Sequence, residues 1–217
     1  CINADSTWGE HEISACRDLA GIIDNVPRAH LAPETLVSPD TCLIAKSDTS
    51  DNFVDLCLYL VRRPNAKDVT DDDIRDPAIS TIIAAKHHKF SRAEVKWDTW
   101  EQEMFGYVKV VKHFGSLITA ATVDYPPGSG TCKIGIWGDS ATAIGRWPRL
   151  TVPDGTINHL CAKARRFYSW SEKVAGTVYW NLDLRHFPGE VLRLPHMMSH
   201  MADLLLDRHD QMQRAEC

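Results

Sequence analysis

Residues 41–61 read T-C-L-I-A-K-S-D-T-S-D-N-F-V-D-L-C-L-Y-L-V. A short apolar run ends at Asp48, T-S-D-N supplies the polar residues of a turn, and a second run follows that is rich in β-branched and aromatic side chains. This is the signature of two consecutive strands, with a carboxylate at the end of the first. A third strand is expected over 79–85, I-S-T-I-I-A-A. The intervening residues 62–77 read as a charged loop, and Asp71, Asp72 and Asp73 within it read as a solvated run rather than a metal site.

Downstream the period changes. Residues 91–114 predict a long helix, with Ser91 and Glu94 as its capping box. Trp97, Trp100, Met104, Val108 and Val111 form an apolar stripe at helical spacing, and Glu103 lies on the edge of that stripe. A further strand is expected over 117–124, then a turn at Pro126, Pro127, Gly128 and Gly130. C-K-I-G-I-W (132–137) is the next strand and ends at Gly138-Asp139. A helix begins at once and is stopped by Pro148. Another helix is expected over 155–175, a last strand over 177–186, and a last helix over 196–213. The order β-β-β-α-β-α-α-β-α implies an α/β fold with a mixed sheet flanked by helices.

Upstream, residues 10–24 show helical spacing, and Pro27, Pro33 and Pro39 then break the chain. The expected organisation is a helical extension and connector over 1–40, followed by one domain over 41–217. A length of 217 residues suits one good-sized core with an appendage. Hydrophobic residues at 44% and charged residues at 24% are ordinary globular values. No apolar run is long enough to span a bilayer, so no membrane partner is expected. The chain begins with Cys1, as a processed chain or a piece of a longer polypeptide does. Seven cysteines (Cys1, Cys16, Cys42, Cys57, Cys132, Cys161 and Cys217) include no C-x-x-C pair. They read as reduced thiols of an intracellular protein, not as a zinc site. A formal net charge of −5 argues against a non-specific nucleic-acid binder, but not against an enzyme that gathers carboxylates around cations.

Such gathering is what the sequence suggests. Asp48 and Asp139 each close a strand, the second where a helix starts, and in open α/β sheets that edge carries the site. Glu103 and Asp203 lie on helices able to join them. Carboxylates at short range cannot all ionise without a compensating cation. Mg²⁺, a hard cation that prefers carboxylate oxygens and retains water and phosphate ligands, resolves the conflict.

The segment F-S-R-A-E-V-K-W-D-T-W-E-Q-E-M-F-G-Y-V-K-V-V-K-H-F (90–114) resembles the ribonuclease H domains of LTR retrotransposon polyproteins, especially the gypsy type. Their catalytic glutamate matches Glu103. L-I-A-K-S-D-T-S-D-N resembles the family's first strand with its "tDAS" motif, matching Asp48. I-G-I-W-G-D-S resembles the strand ending in "tDs", matching Asp139. L-D-L-R-H-F-P-G-E resembles the "HvPG" stretch, and M-A-D-L-L-L-D-R resembles "iADaLSR", matching Asp203, with Asp207 as the fallback one turn on. Asp5, in A-D-S-T-W-G, imitates the first motif but no strand pair follows it.

The resemblance implies a ribonuclease H-like five-stranded mixed sheet with its first three strands antiparallel. It also implies two Mg²⁺ ions, for which Mn²⁺ can substitute, held by Asp48, Glu103, Asp139 and Asp203. The implied reaction is endonucleolytic hydrolysis of the RNA strand of an RNA/DNA hybrid, leaving a 3′-hydroxyl and a 5′-phosphate. His196 or His200 would fill the role of a product-release histidine. Two basic groups are candidate nucleic-acid contacts: Lys86, Lys89, Arg92 and Lys96, and Arg146, Arg165 and Arg166. Two departures stand out. Gly138 replaces the family's threonine, and the spacer between His186 and Asp203 is longer than usual. The implied partners are the hybrid, or a structured RNA, and a parent reverse transcriptase. The location would be cytoplasm or nucleus for a retroelement product. The rival reading is a domesticated, inert module serving as a structural subunit of a ribonucleoprotein such as a mitochondrial ribosome. An integrase-like nuclease is a third, disfavoured because the glutamate lies mid-chain on a helix after three strands.

Overall fold

The computed structural model describes residues 38–151, 162–192 and 194–198. The expected helix at 10–24, His200, Asp203, Asp207 and most of the expected last helix lie outside the described residues. Five strands form one sheet: β1 (Cys42–Thr49), β2 (Phe53–Val61), β3 (Ser80–Lys89), β4 (Ile134–Gly138) and β5 (Leu182–His186). Their order is β3-β2-β1-β4-β5. β1, β2 and β3 pair antiparallel, whereas β4 runs parallel to β1 and β5 parallel to β4. This is the ribonuclease H-like mixed sheet expected above.

β1 lies at the centre, and its residues alternate between two cores. Leu43 and Ala45 pack under the long helix α2 (Thr99–Thr122) and under α5 (Ala162–Val174), with Val108, Phe114, Ile118 and Trp170. Cys42 and Ile44 face the opposite layer, with Val69, Trp137, Leu192 and Leu194. A central strand covered on both faces reads as a near-continuous apolar run, as C-L-I-A does. Lys46 is the exception: it is buried, stacks over the Trp137 ring at 5.1 Å, and donates to the Val191 carbonyl at 2.9 Å. Cys42, Cys57 and Cys132 are free, buried thiols, as expected.

Four expectations need correction. First, the Ser91–Glu94 box forms, Ser91 N–H donating to Glu94 Oε2 at 2.6 Å and Glu94 N–H to Ser91 Oγ at 3.3 Å. It closes only a 3₁₀ turn, Glu94–Lys96, because Trp97 is extended at ψ 156. The α-helix starts eight residues later, on a second capping box built by Asp98 and Glu101. Second, residues 117–122 are not a strand but the end of that same helix. Their β-branched composition suggested a strand, but Phe114, Ile118 and Ala121 fall on one helical face and are all buried. Tertiary packing overrides local propensity there. Third, the last strand is shorter than 177–186, since Ala175–Tyr179 is a 3₁₀ helix. Fourth, the charged loop 62–77 holds a short helix, α1 (Asp71–Arg75). Two of its acidic trio have structural duties: Asp73 caps it through Thr70 and meets Arg63, and Asp71 pairs with Lys46 at 3.5 Å.

Candidate metal centre

Three strands run parallel, so the C-terminal ends of β1, β4 and β5 lie together at one edge of the sheet. That edge carries Asp48, Asp139 and His186. α2 brings Glu103 down to it because Gly106, one turn on, touches the sheet. A Cβ there would sit 2.2 Å from Ser47 Oγ and 3.1 Å from Val54 Cγ2. Only a residue without a side chain lets the helix axis come this close. Asp139 precedes Ser140, the N-cap of α3 (Ala141–Arg146), whose hydroxyl accepts from Ala143 N–H at 3.2 Å.

Asp48, Glu103 and Asp139 each offer a ligand atom, and these atoms lie within 4.8 Å of one another. Asp48 and Glu103 are 1% and 2% exposed. Burial, then Asp139, then Asp48 push the Glu103 carboxyl well above its usual range; the Thr49 hydroxyl, donating to Oε1, pulls the other way. Glu103 Oε2 has no hydrogen-bond donor among the described residues, apart from any proton it shares with Asp139. A buried carboxylate oxygen left in this condition is expensive. A divalent cation is the group that removes both the repulsion and the orphaned oxygen, and all three donors are the hard oxygens it prefers. The residues therefore fit such an ion, whichever divalent metal it is.

The surroundings hold the carboxylates in place. His196 Nδ1 lies 3.2 Å from Asp48 Oδ2, and His186 Nε2 lies 2.9 Å from the Asp139 carbonyl. α6 (Gly189–Leu192) starts beside the site. A Cβ at Gly189 would lie 3.5 Å from Asp139 Oδ2 and 3.6 Å from His196 Nδ1. Gly189 thus lies beside two of the site's residues. Gly138 also finds its reason here. A Cβ at 138 would fall 2.0 to 2.6 Å from the Tyr107 ring and hydroxyl, so the tyrosine occupies the space that a threonine side chain would need. Gly138→Ala is expected to cost about 1–3 kcal/mol through overpacking, read by urea denaturation. An unchanged midpoint would mean that Tyr107 moves aside freely.

The basic candidates scatter. Lys86 and Lys89 are exposed on β3, but strand alternation sends them to opposite faces. Arg92 and Lys96 are exposed before α2, and Arg165 is exposed on α5. Arg146 lies over the Trp100 ring at 3.8 Å. Arg166 is half-buried, pairs with Glu101 at 2.9 Å and stacks on Trp97 at 4.7 Å, so packing holds it first. Sequence reading passed over Thr49, Gly189 and Tyr107. Thr49 lies next to Asp48 in the first motif, and only the helix approach reveals what its hydroxyl does.

No protein-family profile matches the chain, and no curated protein matches it. Among solved structures it is similar to the foamy viral protease-reverse transcriptase in complex with double-stranded DNA (14% identity, 83% of this chain and 26% of that one, TM-score 0.41). It is also similar to LC11-RNase H1, isolated from compost (12% identity, 76% and 91% covered, TM-score 0.35). A third likeness is to the Aquifex aeolicus PPX-GPPA enzyme (14% identity, 67% and 36% covered, TM-score 0.27). The chain spans about a quarter of the foamy viral chain's length. Likenesses this distant leave the activity to be read from the site itself.

Proposed function

We propose that this chain is a ribonuclease H of a retroelement polyprotein, an endonuclease that hydrolyses the RNA strand of RNA/DNA hybrids with divalent metal. The observation that carries this reading is the convergence of Asp48, Glu103 and Asp139 within 4.8 Å at the carboxyl edge of the sheet. Those three would hold Mg²⁺, or Mn²⁺ in its place, and Asp203 is proposed as the fourth ligand. Bound there, such ions supply positive charge that activates a water and steadies the leaving oxygen of a phosphodiester. The chain's own groups prepare the site. The Thr49 hydroxyl orients Glu103, His196 holds Asp48, and His186 fixes the Asp139 backbone. Gly189 lies close beside both Asp139 and His196. His196, whose side chain is 39% exposed, is proposed to take part in product release. An inert structural module has no use for a buried carboxylate whose ionisation the fold opposes. The reading carries an intracellular location with it.

The test is incubation of the folded chain with end-labelled RNA/DNA hybrid and Mg²⁺, beside single-stranded RNA, double-stranded RNA and double-stranded DNA. Cleavage confined to the RNA strand of the hybrid, leaving 3′-hydroxyl and 5′-phosphate ends, is expected. An intact hybrid at every Mg²⁺ and Mn²⁺ concentration would overturn the reading.

A further inference from the structure

A second charged surface lies away from the carboxylates, between the edge strand β3 and the middle of α2. Cross-strand register sets Lys86 opposite Leu56 and His88 opposite Val54, so both lysine and histidine stand on one face of β3. That face looks toward α2. The His88 ring meets Phe105 edge-on at 5.6 Å, and its Nδ1 lies 3.3 Å from Lys109 Nζ. Along α2, Lys109 lies four residues past Phe105, and Lys112 and His113 lie three and four residues past Lys109, so all border one side of the helix. Lys109 is only 8% exposed, and its ammonium sits 4.7 Å from the Phe105 ring centroid. The contact suits a lysine ammonium that donates to His88 Nδ1. Lys86, Lys112 and His113 are exposed around this half-buried pair.

The electrostatics agree with the geometry. Burial, followed by Lys109, Lys112, Lys86 and His88, holds the His113 imidazole below its ordinary range. Burial and then Lys109 depress His88, with Lys112 adding and Glu94 opposing. Among the described groups with the largest effects on these two rings, Glu94 is the only carboxylate. Three lysines and two imidazoles thus face one acid in a chain whose formal net charge is −5. Such a concentration against the overall balance is the footprint of an anionic partner.

We propose that Lys86, His88, Lys109, Lys112 and His113 form a phosphate-binding track for a nucleic-acid strand that extends beyond the carboxylate cleft. The inference rests on the ribonuclease H reading and adds to it a preference for long substrates. Lys109 and His113 lie six and ten residues past Glu103 on the same helix, about 9 and 15 Å along its axis. That distance is the rise of about three to four nucleotides of a strand at 3.4 Å each. The track therefore meets the backbone several nucleotides from the scissile position, where contacts add affinity without touching the chemistry.

The test uses the full chain with Ca²⁺ in place of Mg²⁺, so that binding is measured without cleavage. Fluorescence anisotropy compares a long hybrid with a short, hairpin-closed one that ends about two base pairs from the scissile position on the track side, short of the track's nearest lysine. Lys86→Glu with Lys112→Glu, both at exposed positions, is expected to weaken the long hybrid about tenfold or more and to flatten its salt dependence by about two counterions. Binding and Mg²⁺-dependent cleavage of the short hybrid are expected to stay unchanged, and Lys67→Glu, an exposed control in the 3₁₀ turn Ala66–Asp68, to change neither. Equal weakening of both hybrids, or of neither, overturns the track. If no hybrid is cleaved but the long one is still weakened selectively, the nuclease reading falls and the track stands.

Discussion

Asp139→Asn is expected to lower hybrid cleavage by about 10³-fold or more while raising the melting temperature of the metal-free protein. Metal-held charge at a phosphodiester is worth several kcal/mol in the transition state, and each 1.36 kcal/mol is about tenfold in rate. Removing one of the ligands, with shape preserved, forfeits much of that. The stability change has the opposite sign. Burial and then the Asp139 charge push Glu103 upward, so neutralising Asp139 removes a repulsion that the unfolded chain does not feel. The half-buried position of Asp139 lets an amide fit without an orphaned donor. Loss of activity with gain of stability is the mark of a site maintained for function against the fold's own preference. Cleavage assays and thermal melts in chelator read the two effects. An Asp139→Asn protein that cuts at the normal rate, or one that melts lower, would contradict this account of the site.

Much of this was legible before any coordinates. The strand pair around Asp48, the strand ending at Asp139 and the helix bearing Glu103 follow from period and punctuation, because both faces of β1 are buried and its apolar run is therefore uninterrupted. Where the reading failed, two local signals competed. The Ser91–Glu94 box is real, but a second box at Asp98–Glu101 starts the helix, and a single sequence does not say which of two valid caps nucleates it. Residues 117–122 look like a strand because β-branched residues are common there, and only the burial of Phe114, Ile118 and Ala121 against the sheet makes them helical. The role of Gly138 was illegible for another reason: its neighbour in space is Tyr107, 31 positions away in a different element. The cationic track was half visible. Lys86 stood out, but Lys109 and His113 belong to the same surface only once β3 is laid against α2.

Adding Mg²⁺ or Mn²⁺ to the metal-free protein is expected to raise its melting temperature, by a margin that grows from pH 5.5 to pH 8. The sign follows from Glu103. Its folded-state affinity for the proton exceeds that of the unfolded chain. Its contribution to stability is therefore fully present below the unfolded value, about 4.3, and is lost as pH rises through the raised folded value. The metal-free protein loses that contribution on the alkaline side. A divalent cation binds the ionised form, competes with the proton, and restores what the rise in pH removed. At about a hundredfold excess over its dissociation constant the ion adds about 2.7 kcal/mol. Other groups titrate in the same range. Burial holds Lys46 down to about 8, and burial likewise depresses His88 and His113. Their contributions are common to the loaded and metal-free proteins, so the difference between the two melts isolates the carboxylate site. Glu103→Gln removes the titrating group, and the metal-dependent margin should then shrink and lose its pH dependence. A margin that is absent at every pH, or that survives unchanged in Glu103→Gln, would mean that these three carboxylates do not share an ion.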